Sequence, residues 1–298
     1  INELRYYKKL CFKYMNFEDD NFTANKKRTK AILRRMIDEG LVFRETFFFG
    51  RTDLADDEDL LCLMEKANLS RVLVGIESLN QKSLDSINKH QTISDIKKCA
   101  EGLSRHKIRL IASLVLGMDD DNIDDIRQSV NFVQGIEAYQ LQPAILTPFP
   151  GTRIYEKYKK EKRIISKDWQ HYDMMNVNFI PKLMLPWELQ KEFFKSLKRF
   201  YSFRSSFGIM KIFGIESGIR RILLFLVLRL GFIGIFFLAM IESDNFYRKL
   251  WKMKNKTKLL VGESKIGSVF YDFQNSKIQD VKSSPSVLSD YPDKAEDV

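Results

Sequence analysis

The stretch IRLIASLVL-GMDDD, residues 108–121, contains the pattern that decides the fold of this chain. Nine mostly apolar residues, 108–116, are followed by a glycine, a methionine and three aspartates, and an amphipathic segment comes next. Apolar runs of this length are typical of parallel strands that are covered on both faces. The stretch therefore predicts a buried strand, a polar loop and a helix.

The same order occurs five times in the first half of the chain. The apolar runs occupy residues 12–17, 42–49, 71–76, 108–116 and 138–146. The polar segments that follow them are EDD at 18–20, GRTD at 50–53, ES at 77–78, GMDDD at 117–121 and TPFPG at 147–151. In parallel β/α architectures the carboxyl ends of the strands share one edge, and chemistry is placed there. We therefore expect an α/β enzyme with these polar groups along one site.

Capping residues indicate where the helices begin. Thr23 is predicted to cap a helix over residues 24–39, and Asp121 or Asn122 the helix after the fourth apolar run. Residues 2–10 read as the tail of a helix that enters the first run, so we expect the chain to be a fragment of a longer protein.

Composition excludes few classes of function. The chain has 298 residues, 44% of them apolar, and a net charge of +10 whose basic residues are scattered over predicted helices. We therefore expect solvated faces and no nucleic-acid partner. The cysteines, Cys11, Cys62 and Cys99, lie far apart, which favours a reducing cytoplasm. The histidines are equally dispersed, so no metal site is predicted within the chain.

The pattern changes after residue 160. We expect an α/β unit over residues 1–160, an aromatic-rich helical extension over 161–206, hydrophobic and basic helices over 207–274, and a disordered tail over 275–298.

A long apolar segment, residues 222–241, has three readings. Its length suits a bilayer span, but Arg229 near its centre makes spanning costly. An interfacial helix on a membrane surface and a helix buried on the extension remain as alternatives.

The polar segments, taken in order, resemble motifs of the radical SAM superfamily, and within it the cobalamin-binding group. The resemblance covers roughly residues 10–205. It is carried by FEDDNF at 17–22 with NKKR at 25–28, VGIES at 74–78, LGMDDD at 116–121, LTPFPGT at 146–152, and WQHYD at 169–173 with FIP at 179–181. The last two stretches are similar to the C-terminal extension of hopanoid-type and bacteriochlorophyll-type methylating members.

The resemblance implies a partial (β/α)6 TIM-like barrel that lacks its first strand and is followed by a helical extension. It implies S-adenosylmethionine and a 4Fe–4S cluster as cofactors, with cobalamin as a third. The cluster-binding C-x-x-x-C-x-x-C loop is missing, so we expect that loop and the cobalamin domain upstream of this chain. The implied activity is methyl transfer to, or radical modification of, an unactivated carbon.

The resemblance also assigns candidate cofactor-binding residues to the strand ends. They are Glu18, Asp19, Asp20, Arg51, Asp53, Glu77, Ser78, Gly117, Thr147 and Pro148. Acidic groups can bind the cofactor's ammonium, an arginine its carboxylate, and a glycine a closely packed ring. The alternative for each is structural: a cap or Asx-turn for the acidic groups, a surface ion pair for Arg51 with Asp53, and a simple turn around Pro148.

Two other functions stay open. One is a radical SAM enzyme that forms rings or methylthiolates tRNA, and the other is a degenerate barrel that acts as a binding scaffold. For a radical SAM methyltransferase we expect a small-molecule substrate of lipid or pigment type, an electron donor, and a cytoplasmic protein that associates peripherally with a membrane surface.

Overall fold

The computed structural model describes residues 1–227. Its sheet contains β1 (Tyr14–Asn16), β2 (Glu45–Gly50), β3 (Arg71–Glu77), β4 (Arg109–Leu116) and β5 (Gln140–Ile145). All neighbouring strands are parallel, and their spatial order is the order of the sequence. The five predicted strands are confirmed, and the sheet with its helices forms the expected partial barrel.

Helices connect the strands and continue after them. They are α1 (Asn2–Lys9), α2 (Lys26–Asp38), α3 (Glu58–Lys66), α4 (Gln81–Ser86), α5 (Ile93–Arg105), α6 (Ile123–Gly135), α7 (Arg153–Lys160), α8 (Pro186–Phe200) and α9 (Phe203–Phe213). Two short 3-10 turns, Thr52–Asp56 and Trp169–His171, complete the described elements.

The core lies between the sheet and its helices. Strand side chains such as Phe48, Val72 and Leu114 are fully buried, and Leu33 and Met36 of α2 are equally inaccessible. Burial of this kind is what a parallel sheet under a helical layer requires. The apolar runs that predicted the strands therefore form the core itself.

One predicted helix cap is wrong, and the other is confirmed. The α2 cap is Asn25, whose side chain accepts a hydrogen bond from the Arg28 amide at 3.0 Å, while the Thr23 hydroxyl is turned inward and donates to Asn21. At α6 the capping residue is Asn122. Asp121, the other candidate, is buried and accepts hydrogen bonds from outside its own helix.

The aromatic-rich extension packs against the α/β unit. Helix α8 lies on α6 and β5, and the chain before it adds an antiparallel bridge between Ile164 and Phe179. Beyond α9, residues 215–227 are helical. Only the first six residues of the apolar segment 222–241 are therefore described, and most of the predicted 207–274 region and the 275–298 tail lie outside the described residues.

No helix within residues 1–227 has both the length and the apolar character that crossing a bilayer needs.

Candidate functional site

The carboxyl ends of all five strands lie along one edge of the sheet, because every strand pair is parallel. Five loops form this edge, which we call the carboxyl edge: residues 17–25, 51–57, 78–80, 117–122 and 146–152. All ten predicted cofactor-binding residues lie in these loops or, in the case of Glu77, at the last residue of β3. The fold therefore brings them to one edge, as the sequence pattern predicts.

The acidic side chains after β1 are exposed. Glu18 and Asp20 make no hydrogen bond or ion pair to any described residue, and Asp19 lies 3.8 Å from the guanidinium of Arg28. An exposed pair at that distance contributes little to stability. These carboxylates are thus accessible from solvent at the strand end.

The loop after β2 presents Arg51 and Asp53 to solvent. The two side chains form no ion pair with each other in the described structure. The amino group of Lys26 instead donates a 2.7 Å hydrogen bond to the backbone carbonyl of Asp53, which ties this loop to α2. The guanidinium of Arg51 therefore stands at the carboxyl edge beside the acidic β1 loop.

Glu77 ends β3 in an unusual backbone conformation. Its φ is +64°, in the left-handed region, and the β3–β4 register shifts beside it. Its carboxylate folds back over Gly75 and pairs with the Lys89 amino group at 2.9 Å. A Cβ at Gly75 would lie 2.2 Å from that carboxylate, so the glycine is needed to seat the Glu77 side chain.

Gln91 is a residue of this edge that sequence reasoning missed. It is buried, and its amide donates to the carbonyls of Ile76 at 2.8 Å and Gly75 at 3.2 Å. These bonds satisfy the last carbonyls of β3 where the regular sheet ends. Its only sequence signal is a glutamine directly before the Thr92 cap of α5.

A hydrogen bond between the side chains of Ser78 and Asp121 joins the loop after β3 to the loop after β4. The Asp121 carboxylate accepts hydrogen bonds from Ser78 at 3.3 Å, from Ser83 at 2.5 Å and from the Met118 amide at 3.3 Å. Burial raises the pKa of Asp121 to about 6, although these hydrogen bonds oppose the shift. Ser78 is 3% exposed, so its hydroxyl faces the protein interior and not the solvent.

Asp119 anchors the extension rather than capping α6. Its carboxylate lies 2.6 Å from Arg163, 2.6 Å from Lys157 and 3.3 Å from Lys182, and it accepts a 3.0 Å hydrogen bond from the Tyr158 hydroxyl. Burial works against the charge, but these partners outweigh it and hold the pKa of Asp119 well below its usual value.

The last three candidates are buried. Gly117 has a φ of +89°, and a Cβ there would lie 2.4 Å from the Leu189 side chain of α8. Thr147 is 8% exposed and donates to the Ile145 carbonyl at 3.0 Å. Pro148 is buried beside it. The structure thus gives these residues local packing roles.

Three aromatic rings, two of them exposed, lie beside the carboxyl edge. The ring of Tyr172 lies 6.3 Å from that of Phe149 in the β5 loop and 5.3 Å from that of Trp169 in the extension. Trp169 is 67% exposed and Phe149 38%. Exposed rings at the mouth of a strand edge can bind apolar or planar molecules.

The cysteines of this chain do not fit an iron–sulfur cluster. Cys11 is exposed, Cys62 lies on α3, and Cys99 is buried in the core, so the three thiols do not converge. Burial also raises the pKa of the Cys99 thiol to about 12, whereas cluster iron binds thiolates.

The remaining charged groups of the carboxyl edge lie at the ends of three neighbouring strands. Carboxylates stand at the ends of β1 and β3, and a guanidinium stands at the end of β2 between them in the sheet order. Charged groups arranged in this way can bind an ammonium and a carboxylate by charge-assisted hydrogen bonds.

The family model of the radical SAM superfamily matches residues 1–133. An uncharacterized methyltransferase of Pyrococcus horikoshii is 25% identical over 63% of this chain and 40% of its own length. The bacteriochlorophyllide d C-12(1)-methyltransferase of Chlorobaculum tepidum is 27% identical over 65% of this chain and 41% of its own. An anaerobic magnesium-protoporphyrin IX monomethyl ester cyclase of Cereibacter sphaeroides is 23% identical over 63% and 31%.

Among solved structures, the radical S-adenosylmethionine methyltransferase TsrM of Kitasatospora setae aligns with 54% of this chain and 33% of its own, at 16% identity and a TM-score of 0.49. The chain spans about two fifths of the length of the first two curated relatives. The matched residues 1–133 contain β1 to β4 and are similar to the radical SAM superfamily.

Proposed function

We propose that this chain is the cofactor-binding barrel of a radical SAM enzyme that transfers a methyl group to, or otherwise modifies by radical chemistry, an unactivated carbon. The observation that carries the proposal is the charge arrangement of the carboxyl edge. Accessible carboxylates follow β1, a guanidinium follows β2, and a carboxylate in a left-handed conformation ends β3. The superfamily match covers these three strand ends.

In this proposal the chain binds and orients S-adenosylmethionine. Glu18 and Asp20 accept hydrogen bonds from its ammonium, with Asp19 beside them, and Arg51 binds its carboxylate. Glu77 accepts from the ribose hydroxyls after its carboxylate exchanges Lys89 for the ligand. Bound S-adenosylmethionine supplies the carbon radical precursor, and the barrel's task is orientation and exclusion of water.

The 4Fe–4S cluster cannot be held by the cysteines of this chain, so no step through it is assigned to these residues. Cobalamin use is likewise proposed from the resemblance to the cobalamin-binding group, and no described residue is assigned to it.

The substrate we propose is a small, largely apolar molecule of pigment or lipid type. The rings of Phe149 and Trp169 support this because both are exposed at the carboxyl edge, on either side of the buried Tyr172 ring. Five of the relatives are named for bacteriochlorophyllide or magnesium-protoporphyrin substrates. An electron donor, a cytoplasmic location and peripheral membrane association complete the proposal.

Ring formation is the second candidate, and the cyclase relatives favour it specifically. A methyltransferase and a cyclase differ in the nucleoside products that they form from S-adenosylmethionine and in the mass of the modified substrate. The tRNA methylthiolation and scaffold readings have no such observation in their favour.

The test uses the full-length protein, purified anaerobically and supplied with S-adenosylmethionine, a reductant and a magnesium porphyrin, and it measures nucleoside products and substrate mass. We expect 5′-deoxyadenosine and a product heavier by one CH2, because the transferred methyl group replaces a hydrogen atom of the substrate. A mass change that corresponds to a new ring would replace methyl transfer by cyclisation. Failure to cleave the cofactor in a cluster-loaded protein would overturn the enzymatic proposal.

A further inference from the structure

A second cluster of ligand-type side chains lies on the helical layer, outside the carboxyl edge. Glu58 and Cys62 lie one turn apart on α3, and His106 lies between the end of α5 and the start of β4. One oxygen, one sulfur and one nitrogen of these residues all lie within 4.8 Å of one another. Residues 1–227 contain no other such group of three.

The imidazole of His106 is held in one orientation. Its side chain is 10% exposed; Nδ1 lies 2.8 Å from an oxygen of Glu65, and Nε2 lies 2.8 Å from Oε1 of Glu58. Histidines that bind a metal through one ring nitrogen usually donate the other N–H to a carboxylate. Glu65 stands in that position and directs Nε2 toward Glu58.

The Glu58 carboxylate is oriented as well. Its Oε2 accepts a 3.1 Å hydrogen bond from Arg105, which leaves Oε1 facing the histidine. The Glu58 side chain is 61% exposed, so an ion can reach the group from solvent. The two carboxylates thus have separate roles. That of Glu58 lies within 4.8 Å of the Cys62 sulfur, and that of Glu65 holds the other nitrogen of the His106 ring.

We propose that Glu58, Cys62 and His106 bind a divalent transition-metal ion of the zinc type, with Glu65 and Arg105 as positioning residues. Zinc binds mixed sulfur, nitrogen and oxygen ligands and accepts three protein ligands with a water in the fourth position. Ligand atoms about 2.0–2.3 Å from a tetrahedral ion lie roughly 3.3–3.8 Å apart. To reach that geometry the 2.8 Å His106–Glu58 contact has to open by about 0.5 Å, and the Cys62 sulfur, which is within 4.8 Å of both atoms, has to lie roughly 3.6 Å from each.

The ion replaces two protons. Binding releases the proton of the Cys62 thiol and the proton between Nε2 and Glu58, because both donor atoms must present a lone pair. The ion then links α3 to the segment after α5, and any ligand that binds only the folded state stabilises it. A structural link between the two helices is the expected effect.

The competing interpretation is a protonated histidine between two glutamates. That arrangement needs Glu58, Glu65 and His106 but gives Cys62 no part. Cys62 therefore distinguishes the two interpretations, and Cys11, which is exposed and outside the group, provides the matched control.

The experiment titrates Co²⁺ and Zn²⁺ into the full 298-residue chain after chelator treatment, under reducing conditions. We expect one equivalent of Co²⁺ with a thiolate-to-cobalt charge-transfer band, displacement by Zn²⁺, and a higher melting temperature with Zn²⁺. Cys11→Ser should retain the band, whereas Cys62→Ser should abolish it and lower zinc affinity at least tenfold. Circular dichroism of each variant without metal verifies that it is folded.

Glu65→Gln should keep the cobalt band but weaken zinc binding by about 10–100-fold, as loss of a carboxylate behind a ligating histidine does. The proposal is overturned if the wild-type chain binds no equivalent of either ion, or if the Cys62→Ser variant binds zinc as tightly as the wild type. Neither result bears on S-adenosylmethionine binding at the carboxyl edge.

Discussion

Leu189 of α8 covers Gly117 so closely that a Cβ on the glycine would lie 2.4 Å from the leucine Cδ2. Gly117 ends the buried β4 segment and Leu189 is itself fully buried. The glycine therefore serves two needs at once: a φ of +89° that side chains disfavour, and contact with the extension. This contact seats the extension directly behind the carboxyl edge.

Gly117→Ala should destabilise the protein by about 2–4 kcal/mol, because backbone strain and overpacking each contribute. Gly151 is the matched control: its φ is +84°, but a Cβ there would meet no atom within 4 Å. Urea denaturation of Gly151→Ala should show the strain alone. Equal losses for the two variants would mean that the Leu189 contact is irrelevant.

Asp121 should make stability depend on pH. Burial raises the pKa of its folded-state carboxyl to about 6, above an unfolded value near 3.9. The fold thus favours the protonated form, so this contribution is complete below about pH 4 and is lost as pH rises through about 6. The difference of about two units corresponds to roughly 3 kcal/mol.

Denaturation of Asp121→Asn at several pH values between 4 and 8 measures this effect. The variant should lose less stability than the wild type as pH rises, whatever its absolute stability. Asp120→Asn, which changes an exposed neighbour, should keep the wild-type slope. If the stability of Asp121→Asn depended on pH as steeply as that of the wild type, the pH dependence could not be assigned to Asp121.

Two of the three cations on Asp119, Arg163 and Lys157, should contribute unequally to stability. Arg163 is 9% exposed, lies over the Tyr158 ring and donates to the Ile180 carbonyl, whereas the Lys157 side chain is 49% exposed. Arg163→Met should cost about 3 kcal/mol or more, because it leaves a buried carbonyl and a carboxylate short of partners. Lys157→Ala should cost about 1 kcal/mol or less. Similar losses in denaturant titrations would rule out this ranking.

This chain alone should not assemble an iron–sulfur cluster, because its three thiols do not converge. Anaerobic reconstitution followed by iron and sulfide analysis measures this. Four irons and four sulfides per chain would refute the prediction.

Local patterns were sufficient to predict the sheet. Each strand is a buried apolar run and each loop a cluster of polar residues, and both signals lie within about ten residues of sequence. The Thr92–Asp95 capping box at the start of α5 has the same local character.

Contacts between distant residues were beyond sequence reasoning. Asp121 reads locally as a helix cap, but its partner Ser83 is 38 residues away and belongs to helix α4. Two further contacts depend in the same way on the fold, because the segment after α4 returns to the end of β3. There Lys89 pairs with Glu77, and Gln91 binds the carbonyls of Gly75 and Ile76. The α3 spacing of Glu58 and Cys62, one helical turn, was a readable signal whose third member, His106, only the fold supplies.

The central claim is that the carboxyl edge binds S-adenosylmethionine, and variants of Asp20 and Glu77 test it. Each removes one charge-assisted hydrogen bond to the ligand, which contributes on the order of 1.5–3 kcal/mol. Glu101→Ala is the control, because Glu101 is an exposed carboxylate on α5 that lies in no strand-end loop.

The most direct measurement is calorimetric titration of S-adenosylmethionine into the full-length protein and these three variants. We predict that Asp20→Ala and Glu77→Ala each weaken affinity by roughly ten- to a hundredfold with the fold intact, and that Glu101→Ala matches the wild type. Unchanged affinity in both Asp20→Ala and Glu77→Ala would contradict the assignment of the cofactor site to this edge.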